Sequence, residues 1–106
     1  MKSTEIRTKQ RILIVDDSEM NRAILADMLG EGYEILEAEN GLEAVEYLKK
    51  LITNIDLLLL DIMMPLMDGF EVLAVMNKYH MISDIPVIMI SAESALYRLY
   101  PRIPCI

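Results

Sequence analysis

The spacing of apolar residues changes period several times along this chain, and each change marks a new element. Arg11-Ile12-Leu13-Ile14-Val15 is an apolar run of strand length, after which Ile24, Leu25, Met28 and Leu29 recur at helical spacing until Gly30 and Gly32 interrupt them. Tyr33–Ala38 alternates Tyr33, Ile35 and Leu36 with Glu34 and Glu37, which predicts a second strand, less buried and nearer a sheet edge. Asn40-Gly41-Leu42-Glu43 has the spacing of an N-cap answered by a reciprocal Glu, and it opens a helix with Leu42, Val45, Leu48 and Ile52 as its stripe. Residues 55–60, Ile-Asp-Leu-Leu-Leu-Leu, read as a third strand. Asp68-Gly69-Phe70-Glu71 then repeats the capping pattern ahead of Phe70, Leu73, Ala74 and Met76, in a helix running to about Tyr79. Ser83-Asp84-Ile85-Pro86 is a turn cluster, and Val87-Ile88-Met89-Ile90 is a fourth strand, ending at Ser91.

Near-continuous Val/Ile/Leu strands separated by amphipathic helices predict a parallel sheet covered on both faces and joined by right-handed crossovers. The expected fold is therefore α/β, a doubly wound, three-layer domain. No repeat, low-complexity tract or linker divides the sequence.

Two strands end in acid. Val15 is followed by Asp16-Asp17, and Leu60 by Asp61, at the carboxyl ends where open α/β sheets hold ligands. If the strands are parallel neighbours, three carboxylates converge, and each pair about 4 Å apart would repel by about 4 kcal/mol at an effective dielectric of about 20. Such a cluster implies a cation, and oxygen ligands on a site that needs few of them suit Mg²⁺. Taken singly, Asp17 reads more readily as the N-cap of the first helix and Asp61 as a turn residue. The loop through Pro65 and Asp68-Gly69, with a hydroxyl at Ser91, favours a site.

Other chemistry at these strand ends meets obstacles. The first strand is followed by Asp16-Asp17-Ser18-Glu19, which is neither a P-loop nor a dinucleotide fingerprint. An Asp-nucleophile phosphatase would carry an acid/base two residues beyond Asp61, where Met63 stands. A Ser or Cys nucleophile would need a His base, and the one histidine, His80, falls at the end of a helix among Asn77, Lys78 and Tyr79.

Composition narrows the class further. The 106 residues suit one domain, able to bury about two-thirds of its unfolded surface. Nine Met, no Trp and 6% aromatics predict an aliphatic, thioether-filled core. The net charge of −7 argues against direct nucleic-acid binding and against an anionic membrane, and no run approaches a membrane span. Positive charge gathers only at Lys2, Arg7, Lys9 and Arg11, a solvated lead-in over residues 1–10. A single cysteine, Cys105, and the absence of a signal core suit a reducing cytoplasm.

Three segments, Ile12–Arg22 (ILIVDDSEMNR), Leu57–Gly69 (LLLLDIMMPLMDG) and Ile85–Ala92 (IPVIMISA), resemble the receiver domain of two-component response regulators, over about residues 11–95. The resemblance implies a flavodoxin-like, CheY-like sheet of strand order 2-1-3-4. It implies a phosphoacceptor at Asp61, charged by a sensor histidine kinase or phosphotransfer protein, and thus a switch more than an enzyme. It implies Mg²⁺ held by Asp16, Asp17, Asp61 and the Met63 backbone carbonyl, with the Ser91 hydroxyl binding the phosphoryl group. Met63 and Glu93 match the two variable positions that tune dephosphorylation. The competing class is a receiver-like scaffold or dimerisation module that is not phosphorylated.

The family continues through a fourth helix, a fifth strand ending in Lys-Pro and a last helix. Residues 96–106 match none of these: Pro101 and Pro104 oppose a long helix, and Arg102 lacks the strand expected before the Lys. The expectation is a missing or replaced fifth strand and last helix, an atypical tail, and phosphoryl transfer slowed by about a hundredfold for want of one preorganised donor. An unpaired fourth strand would also invite a homodimer or domain swap, unless Leu96, Leu99, Ile103 and Ile106 fold over the gap.

Overall fold

The alternation of periods becomes a parallel sheet wrapped by helices. The computed structural model describes residues 8–51 and 54–90. In chain order the elements are β1 (Gln10–Val15), α1 (Glu19–Leu29), β2 (Tyr33–Ala38), α2 (Gly41–Leu51), β3 (Leu57–Asp61), α3 (Gly69–Lys78) and β4 (Val87–Ile90). The sheet order is β2-β1-β3-β4 with every neighbouring pair parallel, the order expected. β2 lies at one edge and is the least buried strand, as its alternation with Glu predicts.

The two-residue period of the strands sorts their side chains between two cores. Leu13, Val15, Leu58, Leu60 and Met89 point to one face and pack with Ala44 and Leu48 of α2 and Val72 and Met76 of α3. Ile12, Ile14 and Leu59 point to the other, against Leu25, Ala26 and Leu29 of α1. Helices on both faces make the three layers. None of the described helices is long and apolar enough to cross a membrane.

The helix stripes are rotated from those the spacing suggests. In α1, Ile24 and Met28 are 50% and 74% exposed, and Leu25, Ala26 and Leu29 meet the sheet instead. Leu42 of α2 is exposed while Gly41, Ala44 and Leu48 are buried, and Ala74 of α3 is exposed while Gly69, Val72 and Met76 are buried. The cause is close approach: small residues let a helix axis lie nearer the sheet, so Ala and Gly take central positions that hydropathy alone assigns to larger side chains.

Boundaries shift slightly. β3 begins at Leu57; just ahead of it Asp56 donates its N–H to the Arg11 carbonyl at 2.8 Å and accepts the Arg11 N–H on its side chain, and Ile55 is buried ahead of the ladder. α1 stops at Gly30 with φ 79°, a left-handed angle suited to glycine, and its N–H bonds the Ala26 carbonyl. His80 is exposed, as its place at the end of the helix predicts, with φ 60° just past α3. The lead-in through residue 7, Ile52, and the expectations for Ser91, Glu93, Cys105 and the tail 96–106 lie outside the described residues. Among those described, β4 pairs with β3 alone.

Candidate functional site

β1 and β3 lie side by side with Val15 opposite Leu60, so the next residues, Asp16 and Asp61, leave the sheet at the same end. One carboxylate oxygen from each of Asp16, Asp17 and Asp61 lies within 4.8 Å of the others. Asp16 is buried, Asp17 exposed and Asp61 between the two. The convergence expected from two acidic strand ends is present.

Asp16 is held from several sides. Its N–H donates to the Ala38 carbonyl at 3.1 Å, and its Oδ1 accepts the Ser18 N–H at 2.9 Å. Ser18, not Asp17, is the N-cap of α1, accepting the Asn21 N–H at 3.2 Å. Asp17 is thereby left at the cluster instead of serving the helix.

Arg22 is the residue that sequence reasoning passed over. Its Nη1 donates to the Asp16 backbone carbonyl at 2.7 Å while its Nε pairs with Glu37 at 2.8 Å. A signal existed: a cation in the first turns of a helix opposes the helix dipole, so its retention suggests a partner elsewhere.

The β3–α3 loop shapes the other side. Ile62 is buried and donates its N–H to the Ile90 carbonyl at 3.1 Å, and Gly69 donates to the Ile62 carbonyl at 2.9 Å. Asp68 and Glu71 form the predicted reciprocal capping box, at 2.9 and 3.1 Å. At α2 the reciprocity differs: Asn40 accepts the Glu43 N–H, but Glu43 reaches past it to the Glu39 N–H. Met63 is exposed and donates its N–H to Asp61 Oδ1 at 3.3 Å. Ser91 follows Ile90, the partner of Asp61 across the β3–β4 ladder, and lies outside the described residues.

Electrostatics mark Asp61. Burial raises its pKa from 3.8 to about 6; the Asp16 charge adds to the rise, the Met63 N–H opposes it, and Asp17 contributes further. The group is thus half-protonated near pH 6, and mostly ionised at pH 7, when no cation is bound. A set of hard carboxylate oxygens, with no sulfur or imidazole in the cluster, fits a small divalent ion such as Mg²⁺.

A CheY-like α/β sheet with an acidic pocket at its carboxyl edge defines a class of signalling domain. Residues 12–99 match the family model of the response regulator receiver domain, and this chain belongs to that family. It is 43% identical over 96 residues to response regulator RR06 of Streptococcus pneumoniae, covering 84% of this chain and 42% of that protein. It is 44% identical over 71 residues to the chemotaxis protein CheY of Halobacterium salinarum, covering 66% of this chain and 58% of that one. The chain thus spans under half the length of RR06. Among solved structures it resembles the Thermotoga maritima response regulator TrrA in complex with Mg²⁺ and BeF, with TM-score 0.74, 42% identity, and coverage of 85% of this chain and 75% of that one.

Proposed function

We propose that this receiver domain accepts a phosphoryl group on Asp61 from a phosphohistidine of a sensor kinase or phosphotransfer protein. The observation that carries the reading is the convergence of Asp16, Asp17 and Asp61 from two neighbouring strand ends. In the transfer, an Asp61 oxygen attacks phosphorus, an O–P bond forms as the donor's N–P bond breaks, and the leaving imidazole keeps the electron pair and takes up a proton. Asp16, Asp17, Asp61 and the Met63 backbone carbonyl are the residues that would hold Mg²⁺, which when bound supplies positive charge against the developing charge of the transferred group. Met63, being apolar, cannot activate water for hydrolysis, and Ser91 is the hydroxyl assigned to the phosphoryl oxygens. The domain works as a switch in the cytoplasm.

The test is intact mass after incubation with Mg²⁺ and acetyl phosphate, beside Asp61→Asn. A Mg²⁺-dependent gain of one phosphoryl group that the variant loses is the expected result. No gain in a protein that binds Mg²⁺ leaves the receiver-like scaffold, acting through dimerisation or partner binding, as the function.

A further inference from the structure

The loop between β3 and α3 is pinned at two points by glycines. A Cβ on Gly69 would lie 2.5 Å from the Asp61 carbonyl oxygen and 2.9 Å from the Ile62 Cα, so α3 starts directly on the peptide of Asp61. The second point comes from another helix. A Cβ on Gly41, the first residue of α2, would lie 2.5 Å from the Met67 carbonyl oxygen and 2.7 Å from Met67 Cβ and Cγ. Those contacts are backbone and the base of a side chain, which cannot swing aside as a flexible tip could.

Between the pins the loop makes a strained turn. The Met67 N–H donates to the Pro65 carbonyl at 2.7 Å, enclosing Leu66 at φ 70°. An i to i+2 bond around a positive φ is the rare form of the γ-turn, and Leu gains nothing from that conformation. Leu66 is also 75% exposed, so burial of its side chain does not explain the turn. What holds it is Met67, half-buried against the main core and seated on Gly41.

We propose that Gly41 is a positioning residue for the Asp61 site: its bare Cα lets Met67 close down on α2 and so fixes the backbone course from Asp61 through Met63 to Gly69. This rests on the reading of that site as an Mg²⁺-dependent phosphoacceptor. Residue 41 touches none of the site carboxylates; it acts through the loop that carries the Met63 N–H and carbonyl.

The test is Mg²⁺ affinity by calorimetry on the full chain, with melting temperature recorded separately, for the wild type, Gly41→Ala and Gly32→Ala. A Cβ on Gly32 would meet no heavy atom within 4 Å, so that variant serves as the neutral control. The expected result is Mg²⁺ binding weakened about tenfold in Gly41→Ala and unchanged in Gly32→Ala. A folded Gly41→Ala with wild-type affinity and only a lower melting temperature overturns the proposal. Should Gly41→Ala not fold, Met67→Gly decides, since it opens the same contact from the loop side: weakened affinity in a folded protein supports the pin, and wild-type affinity overturns it. A wild type that binds no Mg²⁺ overturns the phosphoacceptor reading and this inference with it.

Discussion

At the amino end of the sheet, Glu34 receives the Arg11 guanidinium at 2.9 and 3.3 Å, and Asp56 accepts the Arg11 backbone N–H at 2.7 Å. At the carboxyl end, Asp16, Asp17 and Asp61 crowd within 4.8 Å, and the nearby guanidinium of Arg22 goes to the Asp16 carbonyl and to Glu37. Both ends place acids beside the same strands. One pairs its carboxylates with donors from across the sheet and so contributes to stability; the other sets three carboxylates beside one another, a cost in keeping with the proposed metal site.

Removing Asp16 should have the largest effect on this contrast. Asp16→Ala is expected to weaken Mg²⁺ binding by at least about tenfold, the loss that even supporting residues of a metal site produce, and calorimetry checks it. Unchanged affinity would mean that the buried carboxylate is structural. At the opposite end, Asp56→Ala should lower stability by about 2 kcal/mol in urea unfolding, because the Arg11 N–H loses a charged acceptor, and should leave Mg²⁺ affinity alone.

The next effect is one of pH. Asp61 has a folded-state pKa of about 6 against 3.8 as its ordinary value, so the folded protein holds this proton more tightly than the unfolded chain. Its contribution is therefore a destabilisation absent below about pH 4, growing as pH rises and complete above about pH 6. Metal-free Asp61→Asn should be more stable than wild type by about 1 kcal/mol at pH 7, after allowing for solvent screening of a half-exposed group, and equal to it below about pH 4. Melts without metal across that range check the sign, and added Mg²⁺ should close the gap. The smallest effect belongs to Glu34→Gln, whose partly exposed pair is worth about 0.5 kcal/mol.

Much of this was legible beforehand because it depends on local chemistry. Strand runs of Ile, Leu and Val, glycine at Gly30, and the Asp68 capping box are decided within a few residues, and their elements form where expected. The helix faces were less legible. Met28 and Leu25 are both apolar, and only the seating of α1 on Ile12, Ile14 and Leu59 exposes the first and half-buries the second.

The sequence by itself determined the class of this protein, through three segments, Ile12–Arg22, Leu57–Gly69 and Ile85–Ala92, whose resemblance to the receiver family the family match over residues 12–99 bears out. It determined the candidate ligands Asp16, Asp17 and Asp61, because hydropathy and charge are properties of single residues and their neighbours. Tertiary structure alone decided that β1 and β3 lie side by side, that Ser18 caps α1 in place of Asp17, that Arg22 braces Asp16, and that Gly41 receives Met67. Each of those depends on contacts between segments far apart in the chain, whose geometry is set only when the helices settle on the sheet.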